Sequence, residues 1–398
     1  MEYEKMNAIE LLDIISTGET SKVQFKEKIT SSDRFAAEIV AMANSLGGII
    51  LLGVRDKPVE IIGLTDDELH DYGTRVANIA TENVIPVVFV TTEIIPVELE
   101  GKKEKILIVN VSEGVNKPYK VAKTLKVYVK QGDTKRQVSD NAEMLRLFQQ
   151  SGNLLADEIE IYDTSIEDIN QQLFQDYFEK EFRSTIEKKG LSFEQALKVK
   201  KVLRNDKLTL AGLLFFGKEP QNIKPAFCIK TVYFFGNSIS GKDYRSKPED
   251  LKGTIPDLFE NGMKFLETNL RYMQKEQNFN TIGILEISRD ALVEILVNAL
   301  IHRDYLKNSP IRIMIFDNRV EIISPGKLPN SLTVEEAIFG NPVIRNPQLV
   351  KFSFHTMPYS GFGTGLYRAL EEQPDIEFKN DVEGEQFVVK IPRPEIDN

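Results

Sequence analysis

Cysteine is almost absent: Cys228 is the only one among 398 residues. That excludes an intrachain disulfide, and Cys228, inside the strand-like AFCIKTVYFF, is expected to be a small core residue. Histidine is nearly as scarce. His70, His302 and His355 are the whole supply, and without a cysteine cluster they do not make a Cys/His zinc site. Long apolar runs are missing too. The longest, IVAMANSLGGIILLGV, is broken by Asn44, Ser45 and a glycine pair. It falls short of the roughly 18–20 residues a membrane-spanning helix needs. The opening MEYEKMNAIELLDII has no basic segment before its apolar residues, so no secretory signal is read there. No fixed repeat and no low-complexity tract occurs. These absences leave a chain of the reducing cytoplasm with no membrane partner.

What is present describes a folded α+β protein. Hydrophobic residues make up 41% and charged residues 28%, and the length calls for two or three domains. The net charge of −10 argues against indiscriminate nucleic-acid binding. It hides an asymmetry: residues 101–136 carry ten Lys/Arg against three Asp/Glu, whereas residues 281–398 carry twelve against seventeen. Residues 1–152 read as mixed helix and strand. SSDRFAAEIVAMANSLGG has both a helix start and a glycine stop, KVQFKEKI alternates as a strand does, and DNAEMLRLFQQSG closes the region as a capped helix. LADEIEIYDTS then reads as a linker. Residues 153–280 form a middle region of helices and strands. Residues 281–398 hold one apolar helix, two hairpin signals and the glycine-rich SGFGTGLYRALEE.

The apolar helix LVEILVNALIHRDY poses the sharpest question. At 100° per residue, Glu294, Asn298, Ile301, His302 and Tyr305 share one narrow face, opposite Leu292, Ile295, Leu296, Ala299 and Leu300. A helix apolar over most of its circumference is buried, and a buried carboxylate must be paired, hydrogen-bonded or wet. The stripe therefore either lines a cavity or faces bulk solvent. Downstream, SPGKLP ends a strand at a glycine turn, and GFGTG stands directly before a helix. Glycines at that place let backbone N–H groups approach phosphate.

The order Glu294-x-x-x-Asn298, SPGKLP, GFGTG resembles the Bergerat ATP-binding fold of the GHKL class, to which gyrase and the histidine kinases belong. More narrowly, LVNALIHRDY, EIISPGKLP, RNPQLV, GTGLYRALEE and KLTLAGLLFFGKEPQ resemble bacterial transcriptional regulators that join such a domain to an N-terminal Schlafen AlbA-like domain. The resemblance implies a C-terminal GHKL-like α/β sandwich with ATP and Mg²⁺ as cofactors. Asn298 would hold Mg²⁺ against the triphosphate, and Glu294 would orient or deprotonate water. His302, Arg303 and Asp304 would close the helix near the phosphates. Ser324 and Gly326 would meet the base, and Gly361, Gly363, Thr364 and Gly365 would wrap the phosphates. Ser324 stands where the class carries an aspartate that reads adenine, and Lys327 and Leu328 replace a later glycine. These departures point to nucleotide binding with at most slow hydrolysis.

GETSKVQFKEKIT and MANSLGGIILLGVRD resemble the Schlafen AlbA-like domain, whose nuclease members use a cluster of carboxylates for a divalent metal. Carried over, that set is Glu19, Gln24 and Asp56, with Gln24 replacing a carboxylate. Binding of nucleic acid, DNA before RNA, is expected more than cutting. Lys22, Lys26 and Lys28 flank the motif. Lys120, Lys126, Lys130, Lys135 and Arg136 lie on the basic run, where alternate lysines of one strand would meet phosphates beside Tyr119 and Tyr128. The same lysines also suit a solvated strand edge. Three functions stay open: a nucleotide-gated regulator that works as a homo-oligomer, a Schlafen-like metal-dependent nuclease, and a scaffold with a vestigial ATP pocket.

Overall fold

The computed structural model describes residues 6–99, 101–239, 243–273, 283–329, 332–340, 343–361 and 363–395. The chain is α+β and divides into two compact units, Met1–Leu154 and Leu155–Asn398. Among the described residues no helix is long and apolar enough to cross a membrane.

In the first unit, helix α1 (Ala8–Thr17) starts at a capping box in which Asn7 and Glu10 satisfy each other's backbone N–H groups. Strand β1 (Val23–Lys26) leads to helix α2 (Ser32–Asn44), which starts at the Ser31 cap and is buried from Phe35 to Asn44. Strand β2 (Gly48–Leu52) returns parallel to β1, so α2 is the crossover between them. After helix α3 (Asp66–Glu82), the long antiparallel pair β3 (Val90–Leu99) and β4 (Lys102–Val111) completes a sheet of order β1-β2-β4-β3. A separate hairpin, β5 (Tyr128–Gln131) with β6 (Thr134–Gln137), packs on α2 and precedes helix α4 (Asn141–Gln150). Asn44 joins the hairpin to α2. Its buried amide donates to the carbonyls of Tyr119 at 2.8 Å and Tyr128 at 2.9 Å, and accepts from the Tyr119 N–H at 2.7 Å. These bonds satisfy strand-end groups that burial would otherwise leave bare.

The second unit has a main core, from Ala156 to Ile391, and a smaller apolar cluster of Val232, Phe234, Met314, Phe316, Ile323 and Val388. Helices α5 (Gln171–Phe182) and α6 (Leu210–Phe216) precede strands β7 (Ile229–Phe234) and β8 (Tyr244–Leu251), then helices α7 (Ile255–Asn269) and α8 (Arg289–His302). Strands β9 (Ile311–Ile315) and β10 (Arg319–Pro325), helices α9 (Pro347–Thr356) and α10 (Gly365–Glu372), and strands β11 (Glu377–Asp381) and β12 (Gln386–Pro392) follow. The sheet order is β8-β7-β9-β10-β12-β11, with only β7 and β9 parallel. Residues 153–280 thus supply two of the six strands, and their aromatic side chains continue the core: Tyr177 and Phe216 meet Phe352 of α9 at ring separations of 5.3 and 5.1 Å. Cys228 is buried there.

The segment LADEIEIYDTS departs from a solvated linker. Asp157 is fully buried, and its Oδ2 accepts the Gln348 and Leu349 N–H groups at 2.6 and 3.1 Å, capping the start of α9. Burial pushes its carboxyl up to about 6 against the lowering effect of those two bonds. A carboxyl raised on folding holds its proton more tightly in the native state, so stability falls as pH rises from about 4 to about 6. Asp157→Asn keeps an acceptor and removes the titration. Urea unfolding between pH 4 and pH 7 is expected to show the variant gaining on the wild type as pH rises through that window; parallel curves would refute the assignment.

Candidate functional site

Helix α8 begins at Ser288, whose hydroxyl accepts the Ala291 N–H at 3.4 Å, and buries Leu292, Ile295, Leu296, Val297, Ala299, Leu300 and Ile301. Its polar stripe does not face bulk solvent. Glu294, Asn298 and His302 line a cavity of about 140 Å³, closed by Ile322 and Ser324 of β10, Phe387 and Val389 of β12, and Gly361, Gly363 and Gly365. The helix and the glycine segment therefore meet. Gly365 is pressed so closely on α8 that a Cβ there would lie 2.7 Å from Glu294 Oε2 and 2.8 Å from Asn298 Nδ2.

The side chains are fixed individually. Asn298 Nδ2 donates to the Glu294 carbonyl at 2.8 Å, which leaves Oδ1 as the atom it can offer a hard cation. Glu294 Oε1 is paired with the Arg368 guanidinium at 2.6 Å. Burial raises the Glu294 carboxyl above its ordinary range, opposed by Arg368. His302 Nε2 lies 3.1 Å from the Tyr359 hydroxyl; burial and then the Arg345 cation push its imidazole down to about 4, so it is neutral near pH 7. Ser324 donates its hydroxyl to the Ala299 carbonyl at 3.2 Å.

Three of the expected ligand residues stand outside the cavity lining. Arg303 is buried between the rings of Phe227 and Tyr305 and donates to the carbonyls of Lys307 and Ser309, so its charge is used in closing the end of α8. Asp304 accepts the Leu306 N–H at 3.0 Å in the turn that follows. Thr364 makes no side-chain cap bond at the start of α10. Two arginines do line the cavity, Arg345 and Arg368, together with Lys327. Sequence reasoning missed both arginines as site residues, although they sit inside RNPQLV and GTGLYRALEE.

In the first unit Glu19 and Gln24 are in contact, and Asp56 is near enough to act on Glu19 electrostatically. Glu19 Oε1 accepts the Phe25 N–H at 2.6 Å and the Gln24 amide. Burial raises its carboxyl, Asp56 adds to the rise, and the Phe25 bond and Lys26 oppose it. Gln24 in turn accepts from Lys130 Nζ at 2.7 Å. Glu38 of α2, unforeseen in the sequence, is buried against Lys135 at 2.6 Å and Lys26 at 3.3 Å. Among the described residues no group of three or more His, Cys, Asp and Glu is placed to hold a metal. Burial lowers the Lys130 ammonium, opposed by Glu38 and Glu19. Lysine amines thus lie around these carboxylates.

The basic run also differs from the expected single strand. Lys120 lies on a two-residue strand, Lys126 on an exposed irregular stretch after Leu125 (φ +56°), and Lys130 on β5. Lys28 pairs with Glu68 and Arg136 with Glu143, at 2.6 and 2.7 Å, and Lys22 is exposed. Tyr119 is buried, and its hydroxyl accepts the Asn116 N–H at 3.1 Å; Tyr128 is half-buried.

Residues 19–139 match the family model "Schlafen, AlbA_2". Residues 308–391 match "Putative ATP-dependent DNA helicase recG C-terminal", and residues 145–230 match a domain of unknown function. No curated protein matches the chain. Among solved structures, the chain is similar to the DIP2311 protein of Corynebacterium diphtheriae, with 19% identity, a TM-score of 0.47, and coverage of 97% of this chain and 80% of that one.

Gly326 offers a direct check of the cavity wall. It has φ +101°, and a Cβ there would lie 2.4 Å from Asp304 Cβ and 2.8 Å from an Arg345 guanidinium nitrogen. Gly236 also has a positive φ, +75°, but an added Cβ meets nothing within 4 Å. Both alanine variants carry backbone strain, and only the first carries the overlap. Gly326→Ala is expected to lose about 1–3 kcal/mol more than Gly236→Ala in denaturant unfolding; equal losses would contradict the packing described.

Proposed function

We propose that the chain is a nucleotide-dependent, DNA-binding regulator whose C-terminal unit takes Mg²⁺-ATP and whose N-terminal unit takes nucleic acid. The observation that carries the first half is the charge of the cavity: Lys327, Arg345 and Arg368 face one carboxylate, Glu294, across walls that are largely apolar. An apolar slot with surplus positive charge suits a flat base joined to phosphates. Asn298 Oδ1 would hold the magnesium ion, and the close approach of Gly365 leaves α10 free of side-chain bulk where phosphate would come near. Bound magnesium would draw charge off the phosphate oxygens. Ser324 would meet the base. Because Glu294 is closed on Arg368, it is not a free base, and the ATPase reaction is expected to be slow at most.

For the N-terminal unit, the match over residues 19–139 and the ten cations of residues 101–136 support nucleic acid as the partner. The exposed Lys22 and Lys126 are the candidates for phosphate contacts, whereas Lys26, Lys130 and Lys135 are spent on internal partners. Binding through few phosphates is weak, and its salt dependence is shallow because the slope scales with the number of phosphates neutralised. A homo-oligomer set by nucleotide belongs to the same reading.

Isothermal titration tests the cavity. Mg²⁺-ATP is expected to bind the wild type, and Asn298→Ala is expected to lose about tenfold or more in affinity, the cost of one charge-assisted contact. Glu294→Gln should keep binding and abolish the slow turnover. No heat with the wild type, or equal heat with Asn298→Ala, would sink the reading. Fluorescence anisotropy with labelled duplex DNA and single-stranded RNA tests the other unit, with Lys22→Ala/Lys126→Ala expected to weaken binding and flatten its salt dependence.

A further inference from the structure

We propose that Arg345 is the residue that receives the anionic end of the cavity's ligand, a phosphoryl group, while Arg368 is withheld by its pairing with Glu294; this rests on the nucleotide reading above. The two arginines enter the same cavity in different states. Arg368 is already engaged at two points, Glu294 Oε1 at 2.6 Å and Ser360 Oγ at 2.8 Å. Arg345 donates to a neutral acceptor, the Lys327 carbonyl, at 2.8 Å, and among the described residues it forms no ion pair. Asp304 acts on it electrostatically.

The surroundings favour an anion at this guanidinium. His302, beside it, is uncharged, so it neither repels the arginine nor competes for a phosphate. The walls are largely apolar, which strengthens any charge–charge contact made there. A planar guanidinium with free N–H groups is well suited to two phosphoryl oxygens at once. The arm is also held in place. Asn346, the next residue, is completely buried, and its Nδ2 donates to the Ile301 and Arg303 carbonyls at 2.9 Å each. The turn is thereby fastened to the end of α8, the helix that carries Glu294 and Asn298. Gly326 leaves the space through which the Arg345 side chain passes.

The test compares wild type, Arg345→Gln, Arg345→Lys and Arg368→Gln by calorimetry with Mg²⁺-ATP, adenosine and tripolyphosphate, alongside melting curves. Arg345→Gln is expected to lose about 10- to 100-fold in affinity for ATP and for tripolyphosphate, with adenosine unchanged. Arg345→Lys should fall between, and Arg368→Gln should retain a phosphate-dependent preference for ATP over adenosine, reduced only by the Glu294 charge it leaves unpaired. The assignment is overturned if Arg345→Gln loses ATP and adenosine equally, which marks a structural role, or if Arg368→Gln is the variant that loses the phosphate-dependent part. Wild-type ATP binding that Arg345→Gln leaves intact would spare the nucleotide reading and remove this one. Arg345-dependent binding of tripolyphosphate without any binding of ATP or adenosine would do the reverse. A wild type that binds none of the three ends both.

Discussion

The second unit depends on how helix α8 is held. Its apolar sides fix it in the core, and its end is fastened by a fully buried amide, Asn346, on the Ile301 and Arg303 carbonyls. The last turn of a helix leaves carbonyls without intrahelical partners, and burial would make each of them costly. One asparagine satisfies two. That contact orients Glu294, Asn298 and His302 as a set and brings in Arg345 from the adjoining position. On the opposite side, Glu294 reaches Arg368 and Gly365 touches both polar residues of the stripe. The cavity is thus a product of how the helix is anchored.

Much of the architecture was legible because it is periodic or punctuated. Ser31 and the Gly47–Gly48 pair bracket α2, and the alternation of KVQFKEKI marks β1. The spacing of Glu294 and Asn298 foretold a shared face, and both line the cavity. What could not be read are contacts between residues remote in the chain. Arg368 meets Glu294 from 74 residues away, and Asp157 caps a helix 190 residues on. No periodicity announces either, since each is set by tertiary packing. Arg303 misled for a related reason: a cation at the end of a polar stripe looks available until Phe227, far upstream, is seen to cover it.

The first unit makes the same point with charge. Lys130 and Lys135 are register partners across the β5–β6 hairpin, and like charges directly opposite are unfavourable unless balanced. They are balanced, by Glu38 for Lys135 and by Gln24 and the Asp133 carbonyl for Lys130. Counting lysines along a sequence therefore overstates the charge offered to a partner. Gln24 and Lys130 belong to one arrangement, in which an amine sits on an amide oxygen beside Glu19.

The outermost strand of the large sheet, β8, has a bearing on self-association. Its sequence, YRSKPEDL, places Lys247, Pro248, Glu249 and Asp250 along an exposed margin beside β7. Proline removes a donor from the rim, and charges discourage a neighbouring backbone from docking. A continuous intermolecular sheet is accordingly a poor route to assembly on that side, so copies that join would be expected to meet through side-chain surfaces instead.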